Sequence, residues 1–337
     1  MKFGPSPIED SVGGIVAHAV KRDGLVLKKG EIVGAQHIRA LKDAGVDTIV
    51  IAKLEEGDIV EDEAAGRLAQ ACAGSNVRVE QPFTGRSNLF SEKAGVLVVD
   101  ANAIDHINSI DERITVATLP AYRAVQAGEM IGTVKIIPFA APASALESAI
   151  RAAQTPPIRV APFRPLSVGV ISTLLPGLKP SVIDKTLRVM SERLKPAGAR
   201  ILVETRVPHA ADALSAAISD IMPRSDLVVV FGASAITDRR DVIPCAVEMA
   251  GGHIEQLGMP VDPGNLLLIA SLDGKPVLGA PGCARSPKEN GFDWVLQRLL
   301  ADVPVTSADI RRMGVGGLLM EIVSRGQPRD AAGAPRD

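Results

Sequence analysis

The sequence predicts an α/β protein whose second half is a three-layer domain built around a parallel sheet. A smaller α/β region and a β-rich region are expected before it. Apolar residues make up 46% of the 337 residues but aromatic ones only 3%, so the core must be aliphatic. After residue 162, strand-length apolar runs alternate with amphipathic helical segments, which is typical of parallel strands with right-handed crossovers. Between residues 77 and 140, short β-like runs are instead separated by Gly, Asn and Pro.

These changes of pattern predict the domain organisation. Four prolines between residues 156 and 165 mark the main boundary. We expect a small α/β subdomain, a β-rich subdomain, a larger α/β domain and a flexible tail, at residues 1–76, 77–161, 162–324 and 325–337 respectively.

In the first half, the apolar segment at residues 13–20 predicts a strand. Residues 25–54 predict a strand, a helix and a strand, which together resemble a βαβ unit. A helix with an acidic first turn is expected over residues 61–73, where the acidic side chains suit the helix dipole. Another helix is expected over residues 143–153.

In the second half, strands are predicted at residues 167–172 and 200–204, and helices at 183–195 and 212–222. Two strand–turn–helix units follow. In the first, a strand at residues 225–231 leads into a turn at 232–241 and then a helix. In the second, a strand at 275–278 leads into a turn at 279–286, and a helix follows through Leu300. Open α/β sheets bind ligands at the carboxyl ends of their strands, so these two turns are the predicted site.

Composition and charge exclude several classes of function. The formal net charge is −2 with no basic run, which argues against nucleic acid or an anionic membrane as a partner. No secretory signal and no run of about 18 apolar residues is visible. Cys72, Cys245 and Cys283 lie far apart in the sequence. This spacing favours a reducing compartment and argues against a structural zinc site. We therefore expect a cytoplasmic protein.

Within the first turn, Asp241 stands at a helix start beside small residues. A carboxylate there could hold Mg2+ or polarise a water, and it could equally cap the helix. The hydroxyls of Ser234 and Thr237 could bind a phosphate, although both residue types are common in turns. The five histidines show no metal-ligand spacing.

Within the second turn, Gly279, Pro281 and Gly282 predict a fixed turn that lets a ligand approach the backbone closely. An ordinary strand-to-helix turn is the alternative. Arg285 and Lys288 could neutralise ligand charge, or could simply belong to a solvated helix start.

Residues 168–300 resemble the molybdopterin-binding domain of molybdenum-cofactor biosynthesis proteins. The similarity rests on four features: the strand and small-residue turn at 228–234, Asp241 at a helix start, the Pro-Gly pair at 263–264, and the turn at 279–282. It implies that Asp241 is catalytic and holds Mg2+. It further implies a set of residues that bind molybdopterin or the molybdenum cofactor: Gly232, Ala233, Ser234, Thr237, Pro263, Gly264, Gly279, Pro281, Gly282, Arg285, Ser286 and Lys288.

The chain also departs from the family pattern. Residues 172–177 lack the two acidic residues found after the first strand in molybdopterin molybdotransferase, and Asn265 replaces a lysine. Cys283 and Ala284 replace Asn-Pro. Such losses fit a protein that binds the pterin phosphate without performing the adenylate-dependent step, because catalysis depends on differential interactions with the transition state.

The resemblance implies a molybdopterin-binding protein of molybdenum-cofactor biosynthesis or delivery. If active, it would be a Mg2+-dependent molybdotransferase-like or adenylyltransferase-like transferase. A non-catalytic carrier or sensor is one alternative, and a related-fold enzyme acting on a pyridine nucleotide is another. In the first half, residues 27–33 and 41–46 resemble a Gly-rich turn and a helix ending in Ala-Gly in the extra domains of molybdopterin molybdotransferase. The expected partners are a molybdopterin-type small molecule, further copies of the chain in a homo-oligomer, and molybdoenzymes or other cofactor-synthesis proteins.

Overall fold

The computed structural model describes residues 1–22 and 24–319. The chain divides into two compact units, Met1–Pro162 and the residues from Phe163 onward. The tail predicted for residues 325–337 lies outside the described residues. No helix in the described part of the chain combines the length and the apolar character needed to cross a membrane.

Among its described residues, the first unit contains fourteen strands and four helices. In chain order they are β1 (Lys2–Pro7), β2 (Ile15–Val16), β3 (Val20–Arg22), β4 (Leu25–Leu27), α1 (Ala35–Asp43), β5 (Thr48–Lys53), β6 (Asp58–Val60), α2 (Glu61–Cys72), β7 (Val77–Val79), β8 (Arg86–Ser91), β9 (Gly95–Val99), α3 (Ala101–Ile110), β10 (Ile114–Thr118), β11 (Ala124–Val125), β12 (Met130–Ile136), β13 (Ala140–Pro142), α4 (Ala143–Ala152) and β14 (Ile158–Pro162). The predicted helices at 61–73 and 143–153 are confirmed as α2 and α4.

Two hydrophobic cores stabilise this unit. One joins α1 to the sheet β1-β5-β2. The other gathers α2, α3 and α4 with the sheet β10-β12-β8-β7, so α2 packs with the β-rich region that follows it. Helix α3 was not predicted from the sequence. Its signals are Asp100, whose side chain accepts the Ala103 N–H at its N-terminus, and Ile104 and Ile107, which share its buried face.

Two local predictions in the first unit are wrong. Residues 13–20 do not form one strand, because β2 ends at Val16 and β3 begins only at Val20. Residues 25–54 do not form a βαβ unit, because β4 pairs antiparallel with β3, and β5 pairs antiparallel with β1 and β2. Gly24, with φ of 81°, permits the tight turn between β3 and β4, and a short hairpin needs no crossover.

The second unit contains six strands and five helices among its described residues. In chain order they are β15 (Ser167–Leu174), α5 (Pro180–Leu194), β16 (Arg200–Pro208), α6 (Ala211–Ile221), β17 (Leu227–Phe231), α7 (Val242–Met249), β18 (His253–Leu257), β19 (Leu268–Leu272), β20 (Lys275–Ala280), α8 (Gly291–Leu300) and α9 (Ser307–Arg312).

One six-stranded sheet runs through this unit in the order β16-β15-β17-β20-β19-β18. The first four strands are parallel, as predicted, but β19 pairs antiparallel with both of its neighbours, β20 and β18. The physical reason is the two-residue turn between β19 and β20. Asp273 and Gly274 have φ of 51° and 73°, which is the conformation of a tight hairpin turn. The Asp-Gly pair was the sequence signal for this exception.

Helices cover both faces of the sheet. On one face, α5, α8 and α9 contribute Met190, Phe292 and Ile310 to a buried cluster. On the other face, α6 and α7 contribute Ile218 and Val247. The three-layer α/β prediction for the second half is therefore confirmed. Because helices cover both faces of the sheet, the ends of the strands are where a site can form.

Candidate functional site

The predicted turns meet at one edge of the sheet. The loops after β15, β17 and β20 all leave the carboxyl ends of parallel strands. The loop between β18 and β19, residues 258–267, reaches the same edge because Leu268 pairs with Gly279. Pro263 lies in this loop, and its carbonyl accepts the N–H of Gly291, which begins α8, at 2.9 Å. The two predicted turns and the Pro-Gly pair at 263–264, which are far apart in the chain, are thus neighbours at this edge.

Thr173, near the carboxyl end of β15, anchors the first turn. Thr173 is buried, and its Oγ1 accepts the N–H of Ala233 at 2.8 Å. The same Oγ1 lies 2.8 Å from Nδ1 of His209, at the end of β16. A side chain at Gly232 would come within 2.7 Å of the Ser234 carbonyl, so the turn requires glycine there. Because it donates to Thr173 Oγ1, the N–H of Ala233 already has a partner within the protein.

Asp241 caps helix α7. Its Oδ1 accepts the Val242 N–H at 2.7 Å, and its Oδ2 accepts the Thr237 N–H at 3.2 Å. The other carboxylate of this turn, Asp238, accepts hydrogen bonds from the side chain of Arg240, which lowers the pKa of Asp238 to about 2. No group of three or more His, Cys, Asp or Glu side chains suited to a metal ion occurs within residues 1–22 and 24–319.

The second turn differs from its prediction. Gly282–Arg285 form one turn of 3-10 helix, and α8 begins only at Gly291, not directly after the turn. Pro287 disfavours a helical conformation for the residue before it, which separates the two helices. Asn290 and Asp293 form the capping box that starts α8. Ser286 and the exposed Lys288 consequently lie in a loop, not in a helix.

The two glycines of this turn have different surroundings. At Gly279, a Cβ would meet Ile236 Cδ1 at 2.7 Å and Leu268 Cβ at 2.9 Å, so this glycine permits packing inside the protein. At Gly282, a Cβ would meet no atom within 4 Å. Gly282 therefore presents its backbone to open space, where a ligand can approach it closely.

Arg193, on α5, supports the second turn from inside. Its Nε donates to Asp293 Oδ1 at 2.6 Å, and the two side chains are only 8% and 11% exposed. Its Nη1 and Nη2 donate to the carbonyls of Ala284 and Ser286, each at 2.7 Å. Sequence reasoning missed Arg193, since its partners are about 90 to 100 residues away and no local motif marks it.

Arg285 links the two turns. Its Nη2 donates to the carbonyl of Gly232 and its Nη1 to Oγ1 of Thr186, both at 2.9 Å. Its guanidinium carbon lies 5.4 Å from the centre of the Phe231 ring. Burial lowers the pKa of Arg285, and no carboxylate in the described part of the chain forms an ion pair with it. The positive charge therefore has only neutral partners, unlike the charge of Arg193.

Ser172 adds a polar group on the same face of the sheet. It pairs in register with Phe231, so both side chains point to the face on which Arg285 stacks. Ser172 is buried, and its Oγ has no hydrogen-bond partner among the described residues.

A surface groove of about 590 Å³ runs along α5 and Pro287, and none of the predicted site residues lines it.

Residues 169–302 match a family model described as "Probable molybdopterin binding domain". Over these residues the second unit is similar to that family, and we call residues 169–302 the molybdopterin-binding domain after it. The match extends from β15 to just beyond α8, so the molybdopterin-binding domain contains both small-residue turns, Arg193 and Arg285. In the first unit, residues 5–53 match a domain of unknown function, DUF8806.

Several solved structures match this chain at low sequence identity. The molybdopterin biosynthesis MoeA protein of Pyrococcus horikoshii is 16% identical, with 89% of this chain and 75% of that chain covered and a TM-score of 0.32. The CinA protein of Thermoplasma acidophilum is 18% identical, with 41% and 98% covered and a TM-score of 0.33. The molybdopterin biosynthesis enzyme MoaB of Thermus thermophilus is 14% identical, with 41% and 98% covered and a TM-score of 0.30. No curated protein matches the chain.

Proposed function

We propose that the molybdopterin-binding domain binds a molybdopterin-type ligand at the carboxyl edge of its sheet, as a step in molybdenum-cofactor biosynthesis or delivery. The observation that carries this proposal is Arg285. Its guanidinium touches both small-residue turns and has no carboxylate partner in the described part of the chain. A half-buried cation without an anionic partner favours an anionic ligand, because its charge is otherwise stabilised only by neutral groups.

The phosphate of the ligand would lie beside Gly282. The open space at this glycine lets phosphate oxygens approach the backbone, and the guanidinium of Arg285 provides directional donors. Two of its five N–H groups are used for Gly232 and Thr186, which leaves others for the ligand. Ser286 and Lys288 follow in the loop and would add a hydroxyl and a second positive charge.

Binding without transfer is the form of this function that the contacts favour. A transferase role for Asp241 needs a carboxylate free to act on a ligand or metal, whereas both of its oxygens accept backbone N–H groups. The domain would then carry or deliver the cofactor. Cytoplasmic location, assembly into a homo-oligomer, and docking of molybdoenzymes or other cofactor-synthesis proteins stay predictions from the sequence.

A calorimetric titration of the full chain with molybdopterin tests the proposal. The wild-type protein should bind, and Gly282→Ala should weaken binding by about tenfold, because the added methyl group occupies the space beside the backbone. Gly4→Ala, at a similarly open glycine in β1, is the matched control and should bind normally. Failure of the wild-type protein to bind, or equal affinity of Gly282→Ala, would contradict the proposal.

A further inference from the structure

We propose that the carboxylate of Asp262 binds the edge of the pterin ring that carries the 2-amino group and the adjacent ring N–H. This inference rests on the proposed function and deepens it, because it assigns a residue that selects a pterin among phosphate-bearing ligands. Asp262 lies in the loop between β18 and β19, residues 258–267, at the edge of the sheet where the two turns meet.

The backbone of Asp262 is fixed on both sides. Its N–H donates to the carbonyl of Gly317 at 2.8 Å, and its carbonyl accepts the N–H of Leu319 at 2.9 Å. The carbonyl of the next residue, Pro263, accepts the N–H of Gly291 at 2.9 Å. These backbone hydrogen bonds fix the position from which the Asp262 side chain extends, and none of them uses its carboxylate.

The carboxylate of Asp262 is free to bind a ligand. Among the residues that the structure describes, it makes no hydrogen bond and no ion pair, although the residue is partly buried. By contrast, Asp238 and Asp293 are paired with arginines, and both oxygens of Asp241 accept backbone N–H groups. Because removing a charge from water without a partner is unfavourable, the Asp262 carboxylate favours a ligand that supplies N–H donors.

Asp262 lies beside the second turn. Burial raises the pKa of the Cys283 thiol, and the negative charge of Asp262 raises it further. Cys283 follows Gly282, the glycine whose backbone is open to a ligand. The unpaired carboxylate is therefore close to the space in which we place the ligand.

Asp262 and Arg285 lie on opposite sides of this space. Arg285 extends toward β17, since it donates to the carbonyl of Gly232, whereas the loop of Asp262 leads into β19. Strand β20, which leads to Gly282, lies between β17 and β19 in the sheet. Two strand spacings separate β17 from β19, so the two sides of the site are about 10 Å apart. One side is cationic and the other is anionic.

A molybdopterin-type ligand matches this arrangement. It has a phosphate at one end and a pterin ring at the other, and the pterin presents the ring N–H and the 2-amino group side by side. A carboxylate accepts two such parallel N–H groups, as it does from a guanidinium. With the phosphate at Arg285, this edge of the pterin would lie at Asp262. A ring with a 2-oxo group would instead place a carbonyl oxygen against the carboxylate, and this repulsion provides selectivity.

A calorimetric titration of the full chain with molybdopterin tests the inference. Asp262→Asn should weaken binding by about ten- to a hundredfold, because the site loses its charge and one of its two acceptors. Asp220→Asn removes the same charge from an exposed ion pair near the amino end of β17, and this control should bind normally. Both variants should unfold in urea much as the wild-type protein does.

The outcomes of this titration are distinct. Equal affinity of Asp262→Asn and the wild-type protein would overturn the inference and leave the proposed function intact. Absence of binding by the wild-type protein would overturn the proposed function, and the inference with it.

A change of specificity separates recognition of the ring from a general loss of charge. The probes are pterin-6-ylmethyl phosphate and its 2-oxo counterpart, each used to displace molybdopterin. The 2-amino compound should displace it from the wild-type protein at about tenfold lower concentration. This preference should disappear in Asp262→Asn, because an amide can donate to the 2-oxo group. Equal potency on the wild-type protein, or an unchanged preference in the variant, would contradict the inference, since a metal-binding or structural role does not distinguish the two rings.

Guanine is the other source of the same pair of N–H donors. Guanosine 5′-monophosphate should displace molybdopterin only at a concentration more than about tenfold higher than that of pterin-6-ylmethyl phosphate, because its ribose places the phosphate differently relative to the ring. Stronger displacement by the nucleotide would overturn the assignment of a pterin to Asp262.

Discussion

Arg193 and Asp293 form a buried ion pair that joins the last turn of α5 to the first turn of α8, with Nε and Oδ1 2.6 Å apart. The remaining donors of Arg193 hold the carbonyls of Ala284 and Ser286. The pair therefore fixes the shape of the second turn, from which Arg285 extends to the first turn. Arg193 has a structural partner for its charge, and this difference marks Arg285 as the cation left for a ligand.

Asp293→Ala should lower the free energy of unfolding by about 3 to 5 kcal/mol, because it leaves the buried Arg193 charge without its partner. Urea unfolding followed by circular dichroism measures the change. The matched control is Asp220→Ala, which removes an exposed ion pair with Arg224 and should cost less than about 1 kcal/mol. Equal costs for the two variants would show that burial of the Arg193 pair is unimportant.

Thr173→Val should destabilise the protein by about 1 to 3 kcal/mol, because the N–H of Ala233 loses its acceptor. Thr173→Ser keeps the hydroxyl and should retain most of that hydrogen bond. Thermal unfolding of the two variants checks the difference. If Thr173→Val is as stable as the wild-type protein, the hydrogen bond to Ala233 contributes little to stability.

Asp241→Ala should cost about 1 kcal/mol of stability, since the carboxylate caps α7. Asp241→Asn should restore most of the cap, because an amide oxygen also accepts a backbone N–H. If Asp241 acts only as a cap, asparagine should also preserve molybdopterin affinity. A selective loss of affinity in Asp241→Asn, with normal urea unfolding, would indicate a direct role for the negative charge.

Gly279→Ala should destabilise the second unit by about 1 to 3 kcal/mol, because the new methyl group overlaps Ile236 and Leu268. Gly282→Ala, three residues further along the same turn, should change stability by less than about 0.5 kcal/mol, since its Cβ meets no neighbour. Differential scanning calorimetry of the two variants measures this contrast. A strongly destabilised Gly282→Ala would show that the space beside this residue is not open in solution.

The thiol of Cys72 should make the first unit sensitive to alkali. Burial in the second core of that unit raises the pKa of Cys72 from 9.0 to about 12. The folded protein then keeps a proton that the unfolded chain releases above pH about 9. Stability from this group is therefore fully present below pH about 9, and it is lost as pH rises toward about 12.

Urea unfolding between pH 8 and pH 11, at about one-unit steps, measures this loss. Cys72→Ala should be less stable at neutral pH by about 1 kcal/mol, because it leaves a small cavity, and its stability should fall less steeply at high pH. If the wild-type protein and Cys72→Ala show the same slope above pH about 9, other groups cause the alkaline loss.

Local sequence patterns predicted most of the second unit. The alternation of apolar strands with amphipathic segments predicted β15, β16, β17 and β20 and the helices between them, because strand and helix periodicity are properties of neighbouring residues. Asp241 at the start of α7 was also visible locally, since a cap acts within its own helix. The same local signals were misread where a short turn decided the pairing, as at Gly24 and at Asp273-Gly274.

The sequence by itself determined the α/β class of the second half, its aliphatic core and the two turns rich in small residues, because composition and periodicity carry that information. Tertiary structure alone decided which charges are paired. Arg193 finds Asp293 one hundred residues away, whereas Arg285 donates to Thr186 and the Gly232 carbonyl, which are neutral. Such pairings depend on how α5 packs against the strand ends, and no spacing along the chain encodes them.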